Sequence, residues 1–531
     1  METEQLKEDV VAGRITVDRL IGVVATSQRQ LQATKQELDE AKQELDRTKQ
    51  ELDRTKHELD EAKRRIDELE RQLGGAATPK VAEPFSVRAE EQRQEARGKK
   101  PRKRKRRSRG GRITTAEKIA QAVRTEKVFP AGVPEADCWL SHTRPVWRLE
   151  NGQAVLVAYE IYRGPKNQYG KIPGVYGRSE FAIEIVLAIA YQVYVVGLSF
   201  DKVCLLMNFF QNLKLRKSQA DALLHQLARQ WEEEFELLCT LLANSLVVHT
   251  DETGWSINSV WAFLSEMARV VFFGVRKDAQ TLRQILDRAT FAGIVISDDA
   301  AVYANFTQSQ KCWAHLLRKA IKLTLLEPTN SEYRRLTDRL LEIYREACRV
   351  QRDRRLSAAG RQKKVAVLDD EILDLCGPMW AAELAVGEGP QDDYRRLCNE
   401  LMRLMLAKQL FTFVTAESVE QPNGETLVAP GTNNESERTL RSPAQSRDTR
   451  RTDKSVPGAR RRTVIVSVLE SLRQYLPAYT LSSVIAEVSR WCETGRSCFV
   501  RLAEKLGLIT PGSPTDGRPS VLDRLLPLPD G

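Results

Sequence analysis

The sequence lacks the features that mark membrane, secreted and disulfide-linked proteins. No run of about 18 consecutive apolar residues occurs, which is the length that suggests a membrane-spanning helix. The most apolar stretch, 181–200, carries Glu184 and Gln192, so we expect a buried helix there. The nine cysteines include no Cys-x-x-Cys pair, which favours reduced thiols over a disulfide framework. The first residues, METEQLKEDVVAGRI, show no basic-then-apolar signal pattern, and we expect a cytoplasmic protein.

Most of the chain also lacks an excess of charge. The net charge is +10, yet residues 97–112 hold eleven Lys and Arg and no acid, which leaves about −1 for the rest (+10 less +11). Because like charges this dense repel one another, we predict a disordered linker over 76–112. Its cations would bind the phosphates of a polyanion such as DNA, or form only a solvated spacer. The predicted DNA contacts are Lys99, Lys100, Arg102, Lys103, Arg104, Lys105, Arg106 and Arg107.

A heptad repeat precedes this linker. Leucines recur every seven residues from Leu31 to Leu59, followed by Ile66 and Leu73, and Ala or Thr stands three places after most of them. This spacing predicts a coiled coil over 28–75, after an N-terminal helical segment at 1–27. A homodimer is the expected consequence. The alternative is a single charged helix, because Thr and Ala make a weak seam.

Residues 113–245 are predicted to be mixed at first and then mostly helical, and to form a mostly helical DNA-binding region. Within 200–238 we predict two helices, the first over 200–212 and the second from Ser218 towards Leu238. This arrangement permits a helix-turn-helix, although any helical hairpin gives the same pattern.

Two aspartates follow apolar runs in the next block. The segments LVVHTDE, VWAFLSE and VVFFGVR predict strands, TLRQILDRA predicts a helix, and FAGIVISDD predicts a further strand, which together give an α/β layer. Asp251 and Asp298 end two of these strands, where open sheets bind ligands. Paired carboxylates suit Mg²⁺, but an aspartate at a strand end is also a common turn former or helix cap.

A third acid, Glu437, lies in TNNESERTLR, just inside a predicted helix that Asn433 or Asn434 would cap. Arg438 and Arg441 follow three residues apart on one face. A second basic stretch covers 447–462. It suits a phosphate-binding wall, with a solvated loop as the alternative. Its last three residues are Arg460, Arg461 and Arg462.

Other residues near these acids allow two interpretations each. Cys312 and His315 have a spacing that metals accept, but no second Cys/His pair follows, so a packed helix start is favoured over zinc. Trp313 would pack in the core or stack on a displaced base. His249 shares a strand face with Asp251 and would either support that acid or pack in the core.

Three blocks of the sequence resemble the IS66 family of insertion-sequence transposases, which belong to the DDE superfamily. They are HTDETGW at 249–255, VISDDAAVY with KCWAHLLRKA at 295–320, and TNNESERTLR with GARRRTVIVSVLESLR at 432–473. The resemblance implies an RNase H-like catalytic domain over 246–480, interrupted by a helical insertion at about 320–430, with a C-terminal helix and a Pro/Gly-rich tail over 481–531. The fold class expected for the whole chain is therefore multidomain, with a coiled coil, a helical DNA-binding region and this α/β domain.

The same resemblance implies the chemistry. Asp251, Asp298 and Glu437 become the catalytic, metal-binding acids, with Mg²⁺ as cofactor and Mn²⁺ as a substitute, and Asp299 and Glu435 are the neighbours most easily confused with them. The expected reaction is cleavage and strand transfer of double-stranded DNA at terminal inverted repeats and target sites. Accessory proteins from the same element and association with the nucleoid are further expectations.

Two rival functions and two departures from the family remain. The rivals are a catalytically inactive dimeric DNA-binding regulator and a nuclease that cuts without joining. Cys138 stands alone where many relatives carry a cysteine zinc-binding module. The segment QPNGETLVAPG precedes Thr432, where relatives tend to be shorter. Both departures concern recognition of the terminal repeats, and neither removes a catalytic acid.

Overall fold

The computed structural model describes residues 113–287, 290–304, 306, 308–380, 389–420, 426–449, 451–509 and 520–528, and seven separate helical positions between 32 and 61. The basic linker with its eight predicted DNA contacts lies outside the described residues, as does nearly all of the predicted coiled coil. The chain divides into two compact units, Met1–Ile113 and Thr114–Gly531, and every helix and strand named below lies in the second.

The second unit begins with a small sheet. Helix α1 (Thr115–Ala120) precedes strands β1 (Arg124–Val128), β2 (Trp139–Glu150) and β3 (Gln153–Arg163). The strand order is β1-β3-β2, with β1 parallel and β2 antiparallel to β3. The tight turn between β2 and β3 consists of Asn151 and Gly152, whose φ angles are 48° and 78°. The first part of 113–245 is thus mixed, as the sequence analysis expects, although that analysis did not locate the hairpin, which an Asn-Gly turn between alternating strands favours.

The next segment is helical. It contains α2 (Ile183–Ala190), a π-helical turn (Tyr191–Val195), α3 (Phe200–Gln211), α4 (Lys217–Gln230) and α5 (Glu232–Ala243). Helix α2 is buried, as the apolar stretch predicts, and its Glu184 pairs with Arg148 at 2.7 Å. The predicted second helix of the hairpin is two helices. Trp231 leaves helical geometry (φ −105°, ψ 5°) and separates α4 from α5.

A five-stranded mixed sheet forms the centre of the unit. Its strands are β4 (Val247–Gly254), β5 (Ser259–Ser265), β6 (Arg269–Val275), β7 (Ile294–Ser297) and β8 (Ser309–Lys311), and α6 (Ala279–Ile285) connects β6 to β7. The order is β6-β5-β4-β7-β8. β4, β5 and β6 pair antiparallel, and β7 runs parallel to both β4 and β8. The predicted succession of three strands, a helix and a strand matches this sheet. The short strand β8 was not predicted.

A helical bundle with its own core follows β8. It consists of α7 (Trp313–Leu326), α8 (Ser331–Arg352), α9 (Ala358–Trp380), α10 (Pro390–Leu406) and α11 (Thr412–Thr415), and the two-residue strands β9 (Val419–Glu420) and β10 (Thr426–Leu427) come after it. These elements occupy the stretch where the sequence predicts a helical insertion. Trp313 is fully buried, stacks near Tyr344 and donates its indole N–H to the carbonyl of Leu410 at 2.7 Å. Trp313 is a core residue and not a base-stacking one.

The chain then returns to the central sheet. The remaining helices are α12 (Asn434–Asp448), α13 (Val456–Tyr475), α14 (Leu481–Thr494), α15 (Cys498–Lys505) and α16 (Val521–Leu525). Helix α13 lies along the edge strand β6, where Thr463, Ser467 and Ser471 accept hydrogen bonds from the backbone N–H groups of Phe273, Val271 and Arg269. Within the described ranges, none of the helices combines the length and apolarity that crossing a lipid bilayer would need.

Candidate active site

Asp251 lies near the carboxyl end of the central strand β4. Side chains alternate between the two faces of a strand. On one face, Thr250 contacts the Tyr303 hydroxyl at 3.5 Å, and that hydroxyl donates to Glu252. On the other face, His249 contacts Asn433 at 3.2 Å. Asp251 shares the face of His249, so it lies on the side of the sheet that α12 covers.

The sheet places Asp298 beside Asp251. In the parallel pairing of β4 with β7, His249 lies opposite Ile296. Asp251 and Asp298 each stand two residues after this pair, so the register brings them level with one another. The Asp298 carboxylate accepts a hydrogen bond from the N–H of Ala300 at 3.1 Å.

Asn433 fixes the start of α12 against the sheet. Its side chain is fully buried and donates to the carbonyl of Thr250 at 2.8 Å, so its amide oxygen accepts from Nδ1–H of His249. Its backbone N–H donates to Sγ of Cys312 at 3.1 Å. The sequence predicts Asn433 or Asn434 as a helix cap. Asn433 is the N-cap residue by position but makes no side-chain cap hydrogen bond, because its amide is bound to β4. This anchor places Glu437 in the first turn of a docked helix.

The charges of nearby acids act on Asp251. Burial is the largest cause that raises the pKa of Asp251, a backbone N–H of Glu252 opposes the rise, and the negative charges of Glu252, Asp298 and Glu437 add to it, so that the pKa is about 7. Carboxylates that repel one another in a partly buried space form a donor set that a divalent cation stabilises. Carboxylate oxygens of this kind are the donors that a hard cation such as Mg²⁺ prefers.

The two acids that are easily confused with the predicted ones point elsewhere. Asp299 pairs with Arg403 of α10, and Glu435 pairs with Arg269 of β6. The charges of Asp299 and Glu435 are not among the causes given above for the raised pKa of Asp251. The structure thus separates Asp298 from Asp299 and Glu437 from Glu435 by their partners.

Glu437 also contacts the start of α7. Its Oε1 lies 2.5 Å from Nη2 of Arg318 and 3.6 Å from Nδ1 of His315. Burial and the neighbouring Arg318 lower the pKa of His315, which favours the neutral imidazole. The guanidinium of Arg318 therefore already balances part of the negative charge on Glu437.

Lys311 belongs to the candidate site, and the sequence analysis did not single it out. It is 2% exposed, and its ammonium donates to the Ser297 hydroxyl at 3.1 Å and to the carbonyl of Asp298 at 3.0 Å. Burial lowers the pKa of Lys311 to about 8. Since β8 has only three residues, no alternating pattern marked it. Lys311 holds the backbone from which Asp298 projects.

A cavity of about 310 Å³ adjoins these residues on the side of α7 and α10. Its polar lining combines acids and cations with a thiol and an imidazole. The side chains are Asp298, Asp299, Lys311, Cys312, His315, Lys319 and Glu400.

The predicted basic residues near Glu437 differ in exposure: two are exposed and three are buried. Arg438 and Arg441 are exposed on α12, and Arg438 lines a groove of about 460 Å³ with Arg269 and Arg473. The prediction of a phosphate-binding wall is wrong for three other arginines. They are at most 9% exposed, because the first turns of α13 lie in the core, and each pairs with carboxylates. The pairs are Arg460 with Glu232 and Asp523, Arg461 with Asp221, and Arg462 with Asp453.

Comparison with models of protein families gives a match. A family model described as the IS66 family transposase matches residues 179–461, which is more than half of the chain. The matched range extends from α2 into α13 and contains all three acids. No curated protein matches the chain.

Proposed function

The chain belongs to the IS66 family of transposases, and we propose that it cleaves DNA at the ends of an insertion sequence and joins them to a target, with Asp251, Asp298 and Glu437 as its catalytic acids. The observation that carries this proposal is the register of β4 and β7, which brings Asp251 level with Asp298 on the face of the sheet where Asn433 holds the start of α12, the helix of Glu437. The charges of Asp298 and Glu437 both contribute to the raised pKa of Asp251. Three acids from distant parts of the sequence therefore influence one position.

The sheet supports an RNase H-like catalytic domain. The first acid stands on the central strand β4, and the second follows its parallel neighbour β7. The third stands on α12, which packs on β4 through Asn433. In this arrangement Asp251 lies within β4, level with the end of β7, and the start of α12 packs beside it, towards the end of the sheet where open α/β sheets bind their ligands.

The acids fit a divalent cation. Their carboxylate oxygens are the donors that Mg²⁺ prefers, and Asp251 is partly buried among like charges. Asp251, Asp298 and Glu437 would hold Mg²⁺, with Mn²⁺ as a substitute. When bound, such ions activate an attacking oxygen and stabilise the leaving oxygen in phosphodiester displacement.

Residues around the acids position them. Lys311 holds the backbone carbonyl of Asp298, and Asn433 holds the start of α12 on β4. Arg318 orients the carboxylate of Glu437 through Oε1. These contacts restrict the acids before substrate arrives, which reduces the cost of organising the reaction.

DNA contact is the second part of the proposal. Arg438 and Arg441 are exposed on the helix that carries Glu437, and the arginine-lined groove beside Arg438 has the charge that phosphates require. The eight cations between Lys99 and Arg107 would add binding without sequence preference. We propose a homodimer through 28–75 and accessory proteins from the same element as further partners.

The test replaces each acid with its amide in the full chain. Asp251→Asn, Asp298→Asn and Glu437→Gln should each lower cleavage and joining of the element's own terminal repeats by at least about 10³-fold, since a metal-held acid contributes several kcal/mol. DNA affinity in a gel-shift assay should change by less than about twofold, because phosphate contacts supply most of it.

The neighbouring acids supply matched controls. Asp299→Asn and Glu435→Gln alter the same charge within two residues but should keep cleavage within about threefold, because Asp298 and Glu437, and not Asp299 or Glu435, are among the charges that raise the pKa of Asp251. Full cleavage by Asp251→Asn, or an equal loss in Asp299→Asn, would refute the assignment. DNA binding by the unaltered chain without cleavage would indicate a regulator, and cut ends without joined products would indicate a nuclease.

A further inference from the structure

Three metal-binding side chains of different chemistry meet at the start of α7. One ligand atom each from Cys312, His315 and Glu437 lies within 4.8 Å of the other two. Around a tetrahedral Zn²⁺ such atoms stand roughly 3.3 to 3.8 Å apart, given bond lengths of about 2.0 to 2.3 Å. Small side-chain rotations would close this difference. Glu437 lies 122 residues after His315 in the chain. The Cys-x-x-His spacing in the sequence therefore could not indicate it as a third ligand.

The thiol of Cys312 is held in a polar cradle. The residue is 1% exposed, and its Sγ accepts the backbone N–H of Asn433 at 3.1 Å. Burial raises the pKa of this thiol, while the N–H groups of Asn433, His315 and Ala314 oppose that rise. Such N–H groups stabilise a thiolate once a cation has displaced its proton to solvent.

His315 presents a ring nitrogen to Glu437 at a distance too long for a hydrogen bond. Nδ1 stands 3.6 Å from Oε1 of Glu437, and within the described part of the chain this buried nitrogen has no hydrogen-bond partner. A neutral imidazole lone pair beside a carboxylate is a stable arrangement when a cation lies between them. Cys312 and His315 also line the 310 Å³ cavity, which has room for a water as fourth ligand.

From this geometry we infer that Cys312, His315 and Glu437 form a binding site for a thiophilic divalent cation such as Zn²⁺. The site is distinct from the all-carboxylate magnesium site but shares Glu437 with it. Occupation by Zn²⁺ withdraws Glu437 from the catalytic acids and inhibits cleavage. This inhibition rests on the proposed function, whereas cation binding does not.

The binding test uses Co²⁺ as a spectroscopic probe on the full-length chain. The unaltered protein should show one equivalent of thiolate-to-cobalt charge-transfer absorption together with the intense visible bands of four-coordinate Co²⁺. Cys312→Ser should abolish the charge-transfer band, and His315→Gln should weaken Co²⁺ binding at least about tenfold. Arg318→Gln should strengthen binding, because the guanidinium competes for Oε1 of Glu437.

Two variants act as controls. Cys492→Ser changes an exposed cysteine outside the cluster, and Glu435→Gln changes a carboxylate that pairs with Arg269. Both should keep the full cobalt spectrum. Absence of the charge-transfer band in the unaltered chain, or its survival in Cys312→Ser, would overturn the inference. Thermal unfolding shows whether Cys312→Ser is folded. The weakened Co²⁺ binding expected of His315→Gln tests the site independently of Cys312.

A cleavage assay separates this inference from the proposed function. With Mg²⁺ in excess, Zn²⁺ should inhibit the unaltered protein at concentrations at least about tenfold lower than those needed for Cys312→Ser. A cobalt spectrum without zinc inhibition would overturn the link to Glu437 but keep the site. Absence of cleavage under all metal conditions would overturn the proposed function and leave the cobalt result standing.

Discussion

At the scale of single residues, Asp251 makes stability depend on pH. Its pKa is raised to about 7 in the folded chain, mainly by burial, from an unfolded value of about 4. Between these values the folded state binds more protons than the unfolded state, so the free energy of unfolding falls as pH rises through this window. Asp251→Asn removes the charge, and it should raise Tm relative to the unaltered chain at pH 8 but leave it nearly equal at pH 4.

Thermal unfolding across pH checks this expectation. Glu435→Gln is the matched control, because it removes a carboxylate that is paired with Arg269 and should not stabilise the chain at pH 8. Adding Mg²⁺ should raise Tm of the unaltered chain at pH 8 and have a smaller effect on Asp251→Asn, since a bound cation stabilises only the state that binds it. A Tm difference that is the same at pH 4 and pH 8 would contradict the role of the Asp251 charge.

Single residues also show where sequence reasoning stops. It predicted Asp251, Asp298 and Glu437 as catalytic acids, and the charges of Asp298 and Glu437 contribute to the raised pKa of Asp251. It failed for Arg460, Arg461 and Arg462, because residue type gives charge but not burial. Their counter-ions come from as far away as Glu232 and Asp523, and no local pattern announces such a pair.

At the scale of elements, the spacing of three hydroxyl groups along α13 matches the spacing of the outward N–H groups along the edge strand β6. Thr463, Ser467 and Ser471 recur every four residues, which advances a helix by about 6.0 Å. Alternate residues of a strand advance by about 6.8 Å. Three hydroxyls of the helix can therefore accept three consecutive outward N–H groups of β6, with distances of 2.9 to 3.0 Å. The edge of the sheet is covered and unavailable for pairing with another strand.

Two buried polar side chains, Ser467 on α13 and Asn433 at the start of α12, each bond a helix to the sheet, and their variants can be compared. Ser467→Ala leaves the N–H of Val271 unpaired, and Asn433→Ala leaves the carbonyl of Thr250 unpaired. Each change should lower the free energy of unfolding by about 1–3 kcal/mol in a urea titration. Only Asn433→Ala should also reduce the cleavage rate, by at least about tenfold, because it loosens the helix that carries Glu437. Equal rate losses in both variants would show that the effect is general destabilisation.

The elements that were missed have physical explanations. The β2–β3 hairpin carried a local signal in Asn151-Gly152, and the sequence analysis passed over it. Strand β8 has three residues and leaves no periodicity to detect. The break between α4 and α5 depends on the backbone angles of Trp231, a residue with ordinary helix propensity.

At the scale of the whole molecule, the site depends on contacts between remote parts of the chain. Asn433 lies 183 residues from Thr250, its partner on β4, and Arg318 lies 119 residues from Glu437. Local patterns located the strands and the acids, but they could not show which elements meet. The family resemblance supplied that pairing for the three acids. It supplied nothing for Cys312 and His315, whose third ligand emerges only when α12 packs beside α7.

The last prediction concerns how the whole chain holds DNA. Replacing the eleven Lys and Arg of 97–112 with Gln should weaken DNA binding and flatten its dependence on salt, because each lost phosphate contact removes about 0.9 from the slope of log affinity against log salt. Changing Arg438 and Arg441 together to Gln should remove only about 2 from that slope. Fluorescence anisotropy from 50 to 300 mM salt measures both slopes. At the lowest salt, the linker variant should still cleave, since its three acids are intact. An unchanged slope in the linker variant would mean that its cations serve only as a solvated spacer.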